Sequence, residues 1–240
     1  MCALFTAEDR ERTTSKVVAE LTKVSGVERV YPFGSTARGT ADRHSDVDIA
    51  VVVEETAEVS AVAAKCTQLL LSALPVFHYF EQDLGVAEVR GFLLDSFLEI
   101  DLGVGPPGAV EAATKVQPVD VRGKLDFVWH DVIHAAAAID RGRPWRALWY
   151  VERLRSGALE LACNRLELDP RHFAGVDDLP GQSLAAAFRG IAPSLSDEDL
   201  WSALRGATDA FFSEAANENP EVTVKLRHKL TEYLDEIEAV

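Results

Sequence analysis

Two aspartates separated by one residue stand at the start of a β-branched run, Asp46 and Asp48 in SDVDIAVVV. If that run forms a strand, its period of two points both carboxylates to the same face of a sheet. The two charges then repel each other, and a bound divalent cation offsets that repulsion. Mg²⁺ suits such a pair because it prefers oxygen ligands completed by water and substrate phosphates. A pair of this kind more often only begins a strand, so the prediction of a magnesium site depends on its neighbours.

A phosphate-binding turn is predicted just before the aspartates, in FGSTARG. Gly34 follows a short apolar run and lets the backbone approach a phosphate closely. The hydroxyl of Ser35 and nearby free N–H groups can hold phosphate oxygens. Arg38 comes one helical turn later, and its guanidinium has the fork geometry that suits phosphate. Gly39 is expected to end the turn, so phosphate and metal ligands would meet at one edge of the sheet.

A third carboxylate is expected, because a two-metal centre holds one ion near the attacking oxygen and another near the leaving group. The run FLEIDLGV offers Glu99 and Asp101 on one strand face. We favour Asp101 as a metal ligand or base because we expect it closer to the strand end, and Glu99 stays the alternate. A charged outward face of an edge strand is the less favoured explanation of both residues.

The pattern of helices and strands around these residues predicts an α+β fold: a small α/β domain with a mixed sheet, followed by a helical bundle. Apolar periodicity and turn residues divide the first half into helices and strands. The segment GPPGAVEAATKVQP is the predicted boundary, so the predicted domains are 1–108 and 119–240. Helices are expected at 7–24 and 57–74, strands at 29–33, 47–54, 75–82, 86–94 and 97–104, and further helices at 124–140, 144–168, 181–191, 197–215 and 221–237.

The composition bounds the class of protein and its partners. The chain has 240 residues, 48% of them apolar, and a formal net charge of −15. Such an acidic chain disfavours tracking along a nucleic-acid backbone and would suit a cationic partner. No apolar stretch reaches membrane-spanning length, and three cysteines without CxxC spacing exclude a conventional zinc or disulfide framework. We therefore expect a cytoplasmic protein that binds neither nucleic acid nor membrane.

The helical half contains a second candidate region, in RGRPWRALWYVERLRS. Glu152 stands among the aromatic residues Trp145, Trp149 and Tyr150, a combination that can receive a cationic polar ligand and accept a hydroxyl proton. A solvated helix face would also explain this glutamate. His130 and His134 have the i, i+4 spacing of a metal pair, but a helix rich in Ala makes packing the favoured explanation.

The run GSTARGTADRHSDVDIAVVV resembles the signature of the polymerase-β-type nucleotidyltransferase superfamily, and LEIDL resembles that superfamily's third acidic position. The resemblance covers residues 30–53, with support through residue 104. A small α/β domain followed by a bundle resembles the aminoglycoside and lincosamide nucleotidyltransferases most. The resemblance implies Mg²⁺-dependent transfer of a nucleoside monophosphate, usually AMP from ATP, to a hydroxyl of a small acceptor, with release of pyrophosphate.

The same resemblance implies a role for each candidate residue. Gly34 and Ser35 would hold the β and γ phosphates, and Arg38 would neutralise them. Asp46 and Asp48 would bind Mg²⁺, and Asp101 would bind the second metal or accept the acceptor proton. Apart from the resemblance, Glu99 and Glu152 stay open as the catalytic base. Two alternatives stay open: a nucleotidyltransferase that modifies a partner protein, as in antitoxins of this type, and a nucleotide-binding regulator without turnover.

Overall fold

The computed structural model describes residues 4–116, 118–217 and 219–238. The chain divides into two compact units, Met1–Lys115 and Val116–Val240. The first unit continues beyond residue 108, the predicted end of the first domain. It does so because the segment predicted as a boundary contains a short helix, Ala109–Thr114, which packs on a strand of the first unit.

The first unit is a five-stranded sheet with helices. The sheet order is β1-β2-β5-β4-β3, in which only β2 and β5 run parallel. The predicted mixed sheet is therefore confirmed, and so is the α+β class. The elements are α1 (Ala7–Leu21), β1 (Val27–Pro32), α2 (Gly34–Arg38), β2 (Val47–Val53), α3 (Val59–Ala73), β3 (Val76–Asp83), β4 (Glu88–Leu94), β5 (Glu99–Gly105) and α4 (Ala109–Thr114).

The two faces of this sheet differ, because side chains alternate along each strand. Alternate residues of the two parallel strands, among them Ile49 and Ile100, lie in an apolar core with Leu21 of α1 and Leu70 of α3. The intervening residues point to the other face, and these include the aspartates of β2 and β5. The hydrophobic pattern that buries one face of the sheet thus places the acidic residues on the opposite one.

Helix α1 also positions the loop that leads into β2. It begins with a capping box, in which the Thr6 hydroxyl accepts from the Asp9 N–H at 3.1 Å and Asp9 accepts from the Thr6 N–H at 2.9 Å. One residue further on, the guanidinium of the buried Arg10 donates to the carbonyl of Asp42. This contact ties the loop between α2 and β2 to the first turn of α1.

The second unit consists of helices around its own apolar core, as predicted for the C-terminal half. Pro144 begins α6, and the Ser196 side chain caps α8 by accepting from the Asp199 N–H. The predicted helix 144–168 is too long, because it ends at Arg165 and Glu167 has a positive φ of 57°. The elements are α5 (Val121–Asp140), α6 (Pro144–Arg165), 3₁₀ turns at Arg171–Phe173 and Val176–Asp178, α7 (Gly181–Phe188), α8 (Asp197–Ala215) and α9 (Pro220–Glu238).

Within the described ranges, no helix combines the length and the apolar character that a membrane crossing needs.

Candidate active site

The turn between β1 and β2 lies directly against an aspartate of β2. Gly34 is the first residue of α2 and has a φ of +60°, and a Cβ built on it would lie 1.8 Å from Oδ2 of Asp48. The Phe33 N–H donates to the Asp48 carbonyl at 3.0 Å. Only glycine leaves room for this approach, and it also adopts the left-handed backbone without strain. Gly34 is therefore required where the turn meets the carboxylate.

Two hydroxyl groups of this turn are buried without a partner. Oγ of Ser35 and Oγ1 of Thr36 are buried, and neither has a hydrogen-bond partner among the described residues. A buried hydroxyl without a partner costs free energy, so two in succession indicate a site that a ligand completes. Ser35 was predicted from the sequence, whereas Thr36 was missed. The sequence feature that pointed to Thr36 was a second hydroxyl side chain directly after Ser35.

Three aspartates converge beside this turn. Asp46 immediately precedes β2, Asp48 is the second residue of that strand, and Asp101 lies in the neighbouring parallel strand β5. The register pairs Asp48 directly with Asp101. One carboxylate oxygen from each of the three residues lies within 4.8 Å of the others. This is the one group of three or more potential metal-ligating residues in the part of the chain that the structure describes.

Asp101 and Glu99 differ in their positions along β5. Glu99 is the first residue of β5 and is exposed, whereas Asp101 lies two positions inside the strand. The register opposite Asp48, rather than nearness to the strand end, brings Asp101 into the group. Glu99 lies near enough that its charge raises the pKa values of both Asp48 and Asp101.

The electrostatics of the group favour a bound cation. Burial, then the charge of Asp46, raises the pKa of Asp48 to about 6, although Arg38 and the Ser35 N–H oppose that shift. Burial, followed by the charge of Glu99, raises the pKa of Asp101 to about 6. Among the described residues, no lysine or arginine forms an ion pair with these three aspartates. Ionisation is therefore costly unless a cation is bound.

The donor set fits a hard divalent cation. It consists of carboxylate oxygens alone, which Mg²⁺ prefers over the nitrogen and sulfur ligands of zinc sites. Oδ1 of Asp101 is buried and has no hydrogen-bond partner within the described ranges. An orphaned anionic oxygen inside a group of three carboxylates is the arrangement expected where a metal supplies the missing partner.

Glu152, the remaining predicted catalytic residue, lies in the second unit and is not part of the aspartate group. Its carboxylate forms an ion pair with Arg155, whose Nε donates at 3.1 Å. It lines a pocket of about 820 Å³ within the second unit, together with Trp149 and with Arg153, which forms an ion pair with Asp131 at 3.1 Å. Of the three aromatic residues predicted beside Glu152, Trp149 lines this pocket, whereas Trp145 and Tyr150 do not.

The histidine pair of α5 does not form part of a metal group. His130 and His134 have ring centroids 4.1 Å apart, and the His134 ring stacks on Tyr150 at 5.5 Å. The structure adds no third histidine, cysteine or carboxylate ligand to this pair among the described residues. Ring packing therefore accounts for the i, i+4 spacing, which was the favoured explanation.

Comparison with known proteins gives one family match, which lies within the first unit. Residues 12–102 match the family model described as a nucleotidyltransferase domain. No curated protein matches the chain. Among solved structures, an aminoglycoside 6-adenyltransferase from Bacillus subtilis is similar at 11% identity, with 96% of this chain and 99% of that chain covered and a TM-score of 0.46. A Cid1 poly(U) polymerase bound to MgATP is similar at 16% identity, with 62% and 49% covered and a TM-score of 0.37.

Proposed function

We propose that the chain, whose residues 12–102 match a nucleotidyltransferase domain, transfers AMP from ATP to a hydroxyl of a small acceptor and releases pyrophosphate. The observation that carries the proposal is the group of Asp46, Asp48 and Asp101 beside the turn that begins at Gly34. Metal ligands and phosphate ligands meet there at one edge of one sheet. That combination is what nucleotidyl transfer requires.

The turn is the proposed binding site for the phosphates that leave. The hydroxyls of Ser35 and Thr36 donate to phosphate oxygens, which satisfies both buried groups. Arg38, the exposed last residue of α2, adds a positive charge on the same side as Asp48. Gly34 keeps the turn against Asp48 because it has no side chain. Charge neutralisation by such donors lowers the barrier without covalent participation of the protein.

Asp46, Asp48 and Asp101 would hold Mg²⁺, which supplies charge neutralisation for the transferred phosphoryl group when bound. The placement of Asp48 on β2, of Asp101 on β5 and of Asp46 directly before β2 would fix the position of the ion and of the nucleotide phosphates. If Asp46 and Asp48 alone hold the ion, Asp101 is free to take up the proton of the acceptor hydroxyl. Asp101 is thus the proposed base within the first unit.

The acceptor proposed for this reaction is a small hydroxylated molecule, with an aminoglycoside or a lincosamide antibiotic as the specific proposal. Glu152 is the proposed acceptor contact in the second unit, as a cation-binding group or an alternative base. The pocket that it lines carries exposed aromatic side chains, Phe127 and Trp149, beside several carboxylates. Aromatic faces and carboxylates together favour an amine-bearing organic ligand.

Mass spectrometry of the reaction products tests this function. The protein is incubated with Mg²⁺, each of the four nucleoside triphosphates, and a panel containing streptomycin, kanamycin and lincomycin. We expect one panel compound to gain one AMP from ATP, and the Asp48→Asn protein and an EDTA-treated sample to give no product. Adenylylation of a protein instead of any small molecule would overturn the proposed acceptor class. Absence of any nucleotide transfer would overturn the function.

A further inference from the structure

A row of four residues crosses the sheet of the first unit from the phosphate turn to the outer strand. The register pairs Asp48 of β2 with Asp101 of β5, Asp101 with Gly91 of β4, and Gly91 with Phe80 of β3. Residues directly opposite each other in neighbouring strands share a face. The row therefore places an aromatic ring on the same face as the aspartates, at the end farthest from Gly34.

Gly91 is what allows the ring of Phe80 to lie across this face. A Cβ built on Gly91 would come within 2.0 Å of Cε1 of Phe80, so the ring occupies the space above the glycine. The ring therefore leans toward β5 and its aspartate. Phe80 is 47% exposed. A large aromatic ring that stays half exposed beside an acidic site is available to a ligand.

The opposite side of β3 supports this orientation. The preceding residue, Tyr79, stacks on the buried Phe92 with ring centroids 6.0 Å apart, and Phe92 belongs to the apolar core. Successive side chains of a strand point to opposite faces, so Phe80 lies on the side away from that core. His78 and Gln82 flank Phe80 on its own face, and both are exposed. Polar groups capable of hydrogen bonding therefore stand on either side of the ring.

The order along the row determines which substrate the ring meets. The leaving phosphates belong at the turn, because Gly34 and the two orphaned hydroxyls lie at the Asp48 end. Attacking and leaving oxygens are roughly in line in phosphoryl transfer, so the acceptor hydroxyl approaches from the other end. From Asp101 the row continues through Gly91 to Phe80, two strand spacings or about 10 Å from β5.

We propose that Phe80 is the acceptor platform, on which a sugar-type ring of the acceptor packs its C–H face while its hydroxyl points toward Asp101. The inference rests on the proposed function and deepens it by assigning the acceptor's chemical class. A hydroxylated ring suits the site because the aromatic face takes the apolar side of the ring. His78 and Gln82 take its other hydroxyls. Gly91 has no side chain, so the Phe80 ring lies over it on the side of Asp101.

Steady-state kinetics of Phe80→Ala tests the platform, with Phe77→Ala as the control. Phe77 is a phenylalanine of the same strand, 73% exposed, and lies at the bulge of β3 outside the row. The probes are streptomycin, kanamycin and lincomycin. We expect Phe80→Ala to raise the acceptor KM about three- to tenfold, the range expected for one ring contact, with little change in kcat or in the ATP KM. Phe77→Ala should change none of these.

A second variant and a binding measurement separate a platform from a merely structural role. Gly91→Ala should raise the acceptor KM because its methyl group displaces the Phe80 ring, and it should have no further effect in the Phe80→Ala background. Calorimetric titration of the acceptor onto each variant, with Mg²⁺ and a non-hydrolysable ATP analogue present, should show a loss of acceptor affinity that matches the rise in the acceptor KM.

The outcomes distinguish this inference from the function on which it rests. If a probe is adenylylated and Phe80→Ala leaves its KM and its affinity unchanged, the platform is wrong while the function stands. A change confined to the ATP KM would assign the ring to the nucleotide and also overturn the platform. If no compound is modified or bound, the proposed acceptor class fails and the platform fails with it.

Discussion

The aspartate group of the first unit and the ion-paired carboxylates of the second unit have opposite surroundings. In the second unit, Asp131 forms an ion pair with Arg153 at 3.1 Å, and Glu160 forms one with Lys124 at 2.6 Å. In the first unit, Asp48 and Asp101 form no ion pair with any described lysine or arginine, and their pKa values rise to about 6. Both sets are partly or largely buried, so burial alone does not distinguish them.

The difference shows what each set contributes. A buried carboxylate with a cationic partner is compensated within the fold, and removing it leaves the partner uncompensated. A group of carboxylates without such a partner costs stability as it ionises, and the fold retains it only at a site where another charge binds. The proposed metal chemistry therefore lies with the three aspartates of the first unit, whereas the charges of Asp131 and Glu160 are compensated by ion pairs within the second unit. The predictions below test this contrast from the largest expected effect to the smallest.

Asparagine substitutions should separate the two sets by opposite effects. Asp48→Asn and Asp101→Asn should each reduce transfer on the order of a thousandfold or more, because a metal ligand's charge is lost. Without divalent ions at pH 7.5, the same variants should raise the Tm. The folded pKa lies above the unfolded value of 3.8, so each wild-type carboxylate loses stabilising free energy as pH rises from about 4 to about 6, and Asn avoids that loss.

Asp131→Asn is the matched control from the second unit. Asp131 is only 7% exposed, and its substitution leaves Arg153 without its carboxylate. We expect the Tm to fall by an amount that corresponds to about 1–2 kcal/mol, reduced from the fully buried case because Arg153 is half exposed. Thermal unfolding in EDTA measures the expected rise in Tm for Asp48→Asn and Asp101→Asn and the expected fall in Tm for Asp131→Asn. A lower Tm for all three variants would remove the contrast between the units.

Two glycine substitutions test the contact between the turn and Asp48. Gly34 and Gly39 both have positive φ, at 60° and 69°, so alanine strains the backbone at both positions. Only at Gly34 would the new methyl group meet Asp48, since nothing lies within 4 Å of a Cβ at Gly39. We expect Gly34→Ala to lower kcat/KM for ATP at least a hundredfold and Gly39→Ala to lower it no more than about tenfold. Equal losses in the two variants would contradict the close contact.

Glu152→Gln tests the proposed acceptor contact in the second unit. The acceptor kcat/KM should fall about tenfold to a thousandfold if Glu152 accepts the hydroxyl proton, and less if it only attracts a cation. Glu236→Gln alters an exposed carboxylate of the second unit that does not line this pocket, and it should leave acceptor kinetics unchanged. Kinetics with a labelled acceptor measure both variants. Wild-type values for Glu152→Gln would remove this residue from the mechanism.

Alanine substitutions of the turn's polar side chains should give the smallest effects. Arg38→Ala should weaken ATP binding about tenfold and Ser35→Ala a few-fold, because a charge-assisted contact is stronger than a neutral one. Titration calorimetry with a non-hydrolysable ATP analogue measures both. Unchanged affinity in the two variants would show that this turn does not hold the phosphates.

Much of the site could be predicted from local sequence because its residues belong to one short segment. Gly34, Ser35, Asp46 and Asp48 fall within fifteen residues, and the alternation of a strand is enough to place the aspartates on one face. Thr36 could not be assigned in the same way, because a hydroxyl in a turn acquires meaning only when burial leaves it without a partner.

The non-local parts of the site required the sheet order. Nothing in a linear pattern states that β5 lies beside β2 and parallel to it, and this pairing is what selects Asp101 over Glu99. The same holds for Phe80, whose position on the acidic face follows from three successive registers. The end of helix α6 at Arg165 also escaped prediction. The residue with left-handed backbone just beyond it, Glu167, is not a glycine, so the sequence does not mark the helix end.

Binding of Mn²⁺ as a substitute for Mg²⁺, followed by electron paramagnetic resonance at several pH values, tests the central assignment most directly. The account predicts that the wild-type protein binds Mn²⁺ above about pH 6 and loses affinity as the pH falls through that value, because protons then compete for Asp48 and Asp101. Asp101→Asn should bind much more weakly at every pH, while Asp131→Asn binds as the wild type does. Undiminished Mn²⁺ binding by Asp101→Asn would contradict the assignment of the three aspartates as the metal site.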